Sequence, residues 1–233
     1  MLQFLPGLTS TKKQRIPAFV AALASSKTRH IALFPTCLLK EERYALYRTL
    51  ETIPGLAIPH VHLRSDCGTD ELCYLAERFK TVAFNIHPES SKHSFGPIPE
   101  AFANMFFIEN VEELPEPVEL EGRNGVRPGG LCPDFSHLEG ARLSGNAEYV
   151  EKFIKLLSSY PVGCCHISAI RPGIPNNWSG GFDHHEFGRL SDLDYLHAYK
   201  AYFPDKWASL ELENSFEEQL LAIQYLKKLL GSD

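Results

Sequence analysis

Short apolar runs of strand length alternate along the chain with segments whose apolar residues recur every three to four positions. The strand-like runs cover residues 2–5, 30–35, 58–63, 81–87, 105–109, 131–134, 162–170 and 207–213. Amphipathic segments cover 16–26, 40–53, 69–79, 146–159 and 216–230, with a less regular helical stretch at 187–202. Val150, Phe153, Ile154 and Leu157 show the spacing, which puts them on one helical face. Eight strands alternating with helices predict an α/β protein. A (β/α)8 TIM barrel is the preferred architecture, and an open doubly wound sheet is the competitor. Residues 1–233 read as one domain, without an interdomain linker, internal repeat or low-complexity tract.

The polar residues favour the barrel. His60, His87, Glu109, Asp134, His137, His166 and one of Glu211 and Glu213 fall at or just past the carboxyl ends of the apolar runs. Barrel active sites are built from those ends, whereas an open sheet concentrates its site at a single switch point. Pro- and Gly-rich stretches at 89–104 and 112–130 predict long loops that partly replace the helices after the fourth and fifth strands, and 176–182 is a third such loop.

Composition narrows the partners. Hydrophobic residues make up 44% and charged residues 22%, ordinary values for a soluble globular chain. A formal charge of -6 argues against a broad electrostatic grip on nucleic acid. No apolar run approaches a membrane span. The start, MLQFLPGLTSTKKQR, places its apolar patch before its charges, the reverse of a secretory signal, so a cytoplasmic location is expected. The six cysteines form no CxxC pair and are expected to act as buried small apolar residues.

Imidazole and carboxylate together suit zinc, manganese or iron. Asp134 and His137 place two ligand types at one strand end, and Asp183 and His185 alternate so that both can face one side. Each residue also has an ordinary role: a lone histidine is usually a hydrogen-bonded structural or surface group, and a lone acid at a strand end often caps the next helix. His62, His93, His184 and His197 are left to such roles. The full set at successive strand ends is harder to explain that way.

The motifs carry a resemblance. Pro59-His60, Asn85-Ile-His87-Pro88, Ile108-Glu109-Asn110, Cys132-Pro-Asp134-Phe-Ser-His137, His166, Asp183-His184-His185 and Leu212-Glu213 follow one another in order. The set resembles the xylose isomerase-like barrels, and most specifically the endonuclease IV family. That resemblance implies a trinuclear zinc site on a (β/α)8 barrel, with manganese or iron as alternatives. Its metal ligands would be His60, His87, Glu109, Asp134, His137, His166, Asp183, His185 and Glu213, and Glu109 would bridge two ions. Glu211 is the alternative to Glu213, two residues earlier on the same face.

Two enzyme classes follow. The first is a hydrolase in which metal-activated water attacks a phosphoester. The family's DNA enzymes have basic and aromatic recognition loops, whereas here Val-His-Leu-Arg follows His60 and the loop from Thr36 reads Thr-Cys-Leu-Leu-Lys-Glu-Glu. A small phosphorylated or sugar-like substrate is therefore expected rather than duplex DNA, gripped by cations such as Arg64, Arg127, Arg171 or Arg189. The second class is a sugar or sugar-phosphate isomerase or epimerase. It needs one divalent ion on Glu109, Asp134, His166 and Glu213, with Glu109 and Glu213 as the acid-base pair. The remaining histidines and Asp183 favour the hydrolase, and a metal-dependent binding protein ranks last.

Overall fold

A computed structural model describes residues 2–122, 125–177 and 179–231. Strands, all parallel except for one antiparallel pair, alternate with helices. In chain order they are β1 (Gln3–Leu5), β2 (Gly7–Thr9), α1 (Ile16–Ser25), β3 (His30–Phe34), α2 (Lys40–Glu51), β4 (Ala57–His62), α3 (Thr69–Phe79), β5 (Ala83–Ile86), β6 (Phe106–Glu109), α4 (Pro117–Glu121), β7 (Gly130–Cys132), α5 (Phe135–Leu143), α6 (Ala147–Ser159), β8 (Cys164–Ile167), β9 (Ala169–Ile170), β10 (Asp183–His184), β11 (Trp207–Leu210) and α7 (Phe216–Leu230). The fold is α/β, with a six-stranded parallel sheet in the order β2-β3-β4-β5-β6-β7. A three-stranded parallel sheet has the order β1-β11-β8.

Only Pro6 separates β1 from β2, although β1 pairs with β11 and β2 with β3. At the other end, parallel bridges join Leu131 to Val162 and Asp134 to His166. The strand expected at residues 2–5 thus continues past the proline to Thr9. The strand interiors are almost uniformly buried, as parallel strands covered on both faces must be.

The Pro- and Gly-rich stretches hold only a 3-10 turn at Glu100–Met105 and the five-residue α4, in line with the expected loss of helix. Arg123, Asn124 and Trp178, within the loops expected at 112–130 and 176–182, lie outside the described residues. Two features depart from expectation. Residues 135–143 form a helix, because Asp134 caps it with a side-chain oxygen that accepts from Ser136 and His137. The stretch after the seventh strand winds as a 3-10 helix, Leu190–Tyr202. No helix among the described residues is long and apolar enough to cross a membrane.

The junction of the first and last strands is tight. A Cβ on Gly7 would lie 1.8 Å from the Leu210 carbonyl oxygen, so only glycine lets these backbones approach. Buried Gln219 of α7 ties the junction together: Oε1 accepts from the Gly7 amide at 2.7 Å, and the two hydrogens on Nε2 are shared among the carbonyls of Gly7, Leu212 and Asn214. Gly7→Ala is expected to lower the unfolding free energy by about 2 kcal/mol through this overpacking. An unchanged urea midpoint would show that the junction yields.

Candidate metal centre

The carboxyl ends of the parallel strands bring four side chains to one point. Glu109 is the last residue of β6, Asp134 follows β7, His166 lies in β8, and Glu211 follows β11. One ligand-type atom from each falls within 4.8 Å of the other three. Glu109 also belongs to a second group, with His62 at the end of β4 and His87 just past β5.

The Glu109 carboxylate is 2% exposed, and its two oxygens look in different directions. Oε1 lies 3.2 Å from His166 Nδ1, and Oε2 lies 3.7 Å from His62 Nε2. Glu211 Oε2 is also 3.2 Å from His166 Nδ1. Two ligand atoms ~2.1 Å from one tetrahedral zinc are ~3.4 Å apart, close to these spacings.

Electrostatics follows from the burial. Burial alone would raise the Glu109 carboxyl, but the facing His166 and His62 imidazoles hold it below the usual carboxylate range. Burial also opposes ionisation of Glu211, yet His185 and His166 bring it down to about 2. For His166, desolvation favours the neutral ring, and the carboxylates of Glu109 and Glu211 outweigh it, raising the group well above an ordinary histidine. His62 is pushed down to about 3, with burial as the main cause.

The donor set fits divalent cations. His62 Nδ1, His87 Nδ1 and His166 Nε2 are buried without a hydrogen-bond partner, while His166 Nδ1 faces the Glu109 and Glu211 carboxylates. An unsatisfied buried polar atom costs about 1–3 kcal/mol, so three clustered in one place suit a ligand that uses lone pairs. Phe34 closes one side, its ring meeting those of His62 and His166 edge-on at 6.2 and 5.0 Å. The rings of His62 and His87 are 4.9 Å apart.

A third cluster adjoins these. His137 Nδ1 lies 3.6 Å from Asp183 Oδ2, and its Nε2 is 3.9 Å from Asp134 Oδ2. Burial disfavours charge on His137, but Asp134 and Asp183 raise it above the ordinary value. The antiparallel pairing of β10 with β9 returns the chain so that buried Asp183 faces α5. His185, Glu211, His62, His87, Glu109 and His137 line one cavity of about 540 Å³.

Asp134 serves two purposes. Its Oδ1 accepts from the Ser136 amide and hydroxyl and from the His137 amide, while Oδ2 is the oxygen turned towards His137. Asn110, from the Ile-Glu-Asn motif, fixes the Asp134 backbone by donating to its carbonyl at 3.0 Å and accepting from its amide at 2.8 Å.

Several expected residues stand elsewhere. His60, expected as a ligand, is buried within the strands, where Nδ1 contacts Ser209 Oγ at 2.7 Å and Nε2 contacts Asn85 Oδ1 at 3.0 Å. His62, two residues on and on the same strand face, stands among the clustered groups instead. Glu213 is likewise displaced by Glu211: its carboxylate pairs with Lys12 Nζ at 2.6 Å, in a different cavity. Of the arginines, Arg64 lines the cavity, held by the Leu38 carbonyl and Asp66. Arg189 is 79% exposed and pairs with Asp192, and neither Arg127 nor Arg171 lines the cavity. His184 turns away to the Ile174 carbonyl, whereas His93 and Cys37 border the cavity without having been singled out. Alternation had already offered Glu211 as the alternative to Glu213, and it could have flagged His62 in the same way, since His62 shares a strand face with His60.

No protein-family model matches this chain, and no curated protein matches its sequence.

Metal-free protein gives a direct check on the burial of His62. The unfolded chain binds its proton near pH 6.5 and the folded one near 3, so unfolding is favoured as pH falls between those values. With chelator present, wild type is expected to lose about 1–2 kcal/mol more than His62→Gln between pH 7.5 and 5.0. Equal losses in urea unfolding would contradict the buried neutral imidazole.

Proposed function

We propose that the chain is a metal-dependent phosphoester hydrolase on an endonuclease IV-like (β/α)8 barrel, acting on a small molecule. One observation carries this reading: the two oxygens of Glu109 face different imidazoles, and Glu109 falls in two overlapping ligand groups, with His62 also within reach of His166 and Glu211, so more donors converge than one ion takes up. A single-ion site has no need of His62 and His87 beside the four residues Glu109, Asp134, His166 and Glu211. The ordered motifs supply the family resemblance. The barrel reading is supported by the continuity of β1 and β2 across Pro6 and by the bridges between β7 and the β8 region.

His62, His87 and Glu109 would hold one ion and Glu109, Asp134, His166 and Glu211 a second; a third, on His137, Asp183 and His185, rests on the family resemblance together with the His137–Asp183 contact. Bound divalent ions, zinc or else manganese or iron, would supply an activated water and charge neutralisation for an in-line displacement at phosphorus. The protein's own part is orientation and dryness. Glu109 is fixed between the two sets, Phe34 excludes water from one side, and Arg64 at the cavity wall offers a cation to the substrate's phosphate. A cavity of about 540 Å³ suits a small substrate, and the charge of -6 disfavours duplex DNA.

The isomerase reading retains one supporting observation, the compact group Glu109, Asp134, His166 and Glu211. In it Glu211 replaces Glu213 as the partner of Glu109 in proton transfer.

Elemental analysis of dialysed protein is expected to give about three divalent ions per chain. A single ion, with activity on ketose sugars and none on chromogenic phosphoesters, would instead establish the isomerase. Glu109→Gln and Glu211→Gln should each reduce phosphoesterase kcat/KM by more than about 100-fold, whereas Glu213→Gln should change it by less than about threefold. Equal sensitivity at 211 and 213 would contradict the placement of these two acids.

A further inference from the structure

Beneath the clustered ligands a buried row of polar side chains, none of them assigned a part in the reaction, leads to Glu109. Ser209 of β11, His60 of β4, Asn85 of β5 and Glu109 of β6 form an unbroken chain of contacts. The first three are fully buried and Glu109 is 2% exposed, so water does not compete for these bonds.

The direction of the chain follows from what each atom can do. A Glu109 carboxylate oxygen only accepts, so the Asn85 amide presents Nδ2 to Oε2, at 2.7 Å, and is left with Oδ1 towards His60. Oδ1 carries no hydrogen, so the contact of 3.0 Å requires one on His60 Nε2. Nδ1 is then free to accept the Ser209 hydroxyl hydrogen at 2.7 Å. Each donor points towards the carboxylate. The reverse amide orientation would set two acceptor oxygens against each other in a dry interior.

We propose that Asn85 and His60 are positioning residues that lock the plane of the Glu109 carboxylate, with His60 held as the Nε2–H tautomer and therefore unable to bind a cation through that nitrogen. The lock matters because a carboxylate free to rotate can turn both oxygens to one ligand set and stop serving the other. The inference rests on the proposed sharing of Glu109 between two ions only for its consequence; the hydrogen-bond polarity stands on the geometry alone. It also decides the role of a ring with other possible partners. Cys132 Sγ lies 3.9 Å from His60 Nε2, and His60, Cys132 and Cys164 together could offer a soft cation three ligand atoms.

Two measurements test this. In metal-free wild type near pH 7, long-range nitrogen–proton NMR spectra of the histidine rings, assigned with His60→Gln, are expected to show His60 protonated at Nε2. A hydrogen on Nδ1 alone would overturn the proposal, whether or not the protein binds metal. Chelator competition with zinc gives the second readout. Asn85→Leu and His60→Leu should weaken binding by about 10–100-fold without changing the number of ions at saturation. His60→Gln, whose amide can accept from Ser209 and donate to Asn85, should restore affinity to within about fivefold of wild type. Loss of one whole ion in both His60→Gln and His60→Leu would show that His60 is itself a ligand and would overturn the positioning role. Wild type that binds no zinc would defeat the hydrolase reading, while the NMR result would still decide the hydrogen-bond chain.

Discussion

Burying a carboxylate at the end of β6 imposes the condition that the surrounding residues meet. Glu109 is almost inaccessible, and an uncompensated charge there would be too costly to keep. Imidazoles on β4 and β8 face its two oxygens, and the Asn85 amide on β5 donates to one of them. Each of these strands runs parallel to its neighbours, so their carboxyl ends deliver the compensating groups to one level. The arrangement satisfies the charge yet leaves several imidazole nitrogens without hydrogen bonds. That unmet bonding capacity is what would let the cluster take up a metal ion rather than serve as an ion pair alone.

Structure farther out keeps this cluster in place. Asn110 holds the backbone of Asp134, and Gln219 holds the meeting of the first and last strands. Arg43, fully buried on α2, binds Glu71 of α3 through two bonds of 2.7 and 2.8 Å and also donates to the Leu38 carbonyl and Asp66. These last two contacts lie in the loops that carry Cys37 and Arg64 to the cavity wall. Removing one partner of such a buried pair costs about 3–5 kcal/mol, so the mouth of the cavity rests on a firm clamp.

The sequence showed the alternation of strands and helices clearly, because parallel strands buried on both faces read as apolar runs. It also placed Glu109, Asp134 and His166 at strand ends, where they meet. What it did not resolve was depth along a strand. His60 and His62 share a face, as do Glu211 and Glu213, and periodicity is the same for both members of each pair. The depth is set by pairing register and by where β11 ends at Leu210, properties of the neighbouring strands rather than of the local sequence. The helix at 135–143 was hidden for a related reason: Asp134 and His137 look like chemistry, and Asp134 is also the cap that starts the helix. The arginines were hardest to place, since a long cationic side chain carries no local signal of which surface it will reach.

Whether one carboxylate serves two cation sites is decided by anomalous diffraction at the zinc absorption edge from zinc-loaded crystals. Separate anomalous peaks are expected on either side of Glu109, one beside His62 and His87 and the other beside Asp134, His166 and Glu211. A single peak confined to the second group, with His62 and His87 bound to nothing, would contradict such sharing.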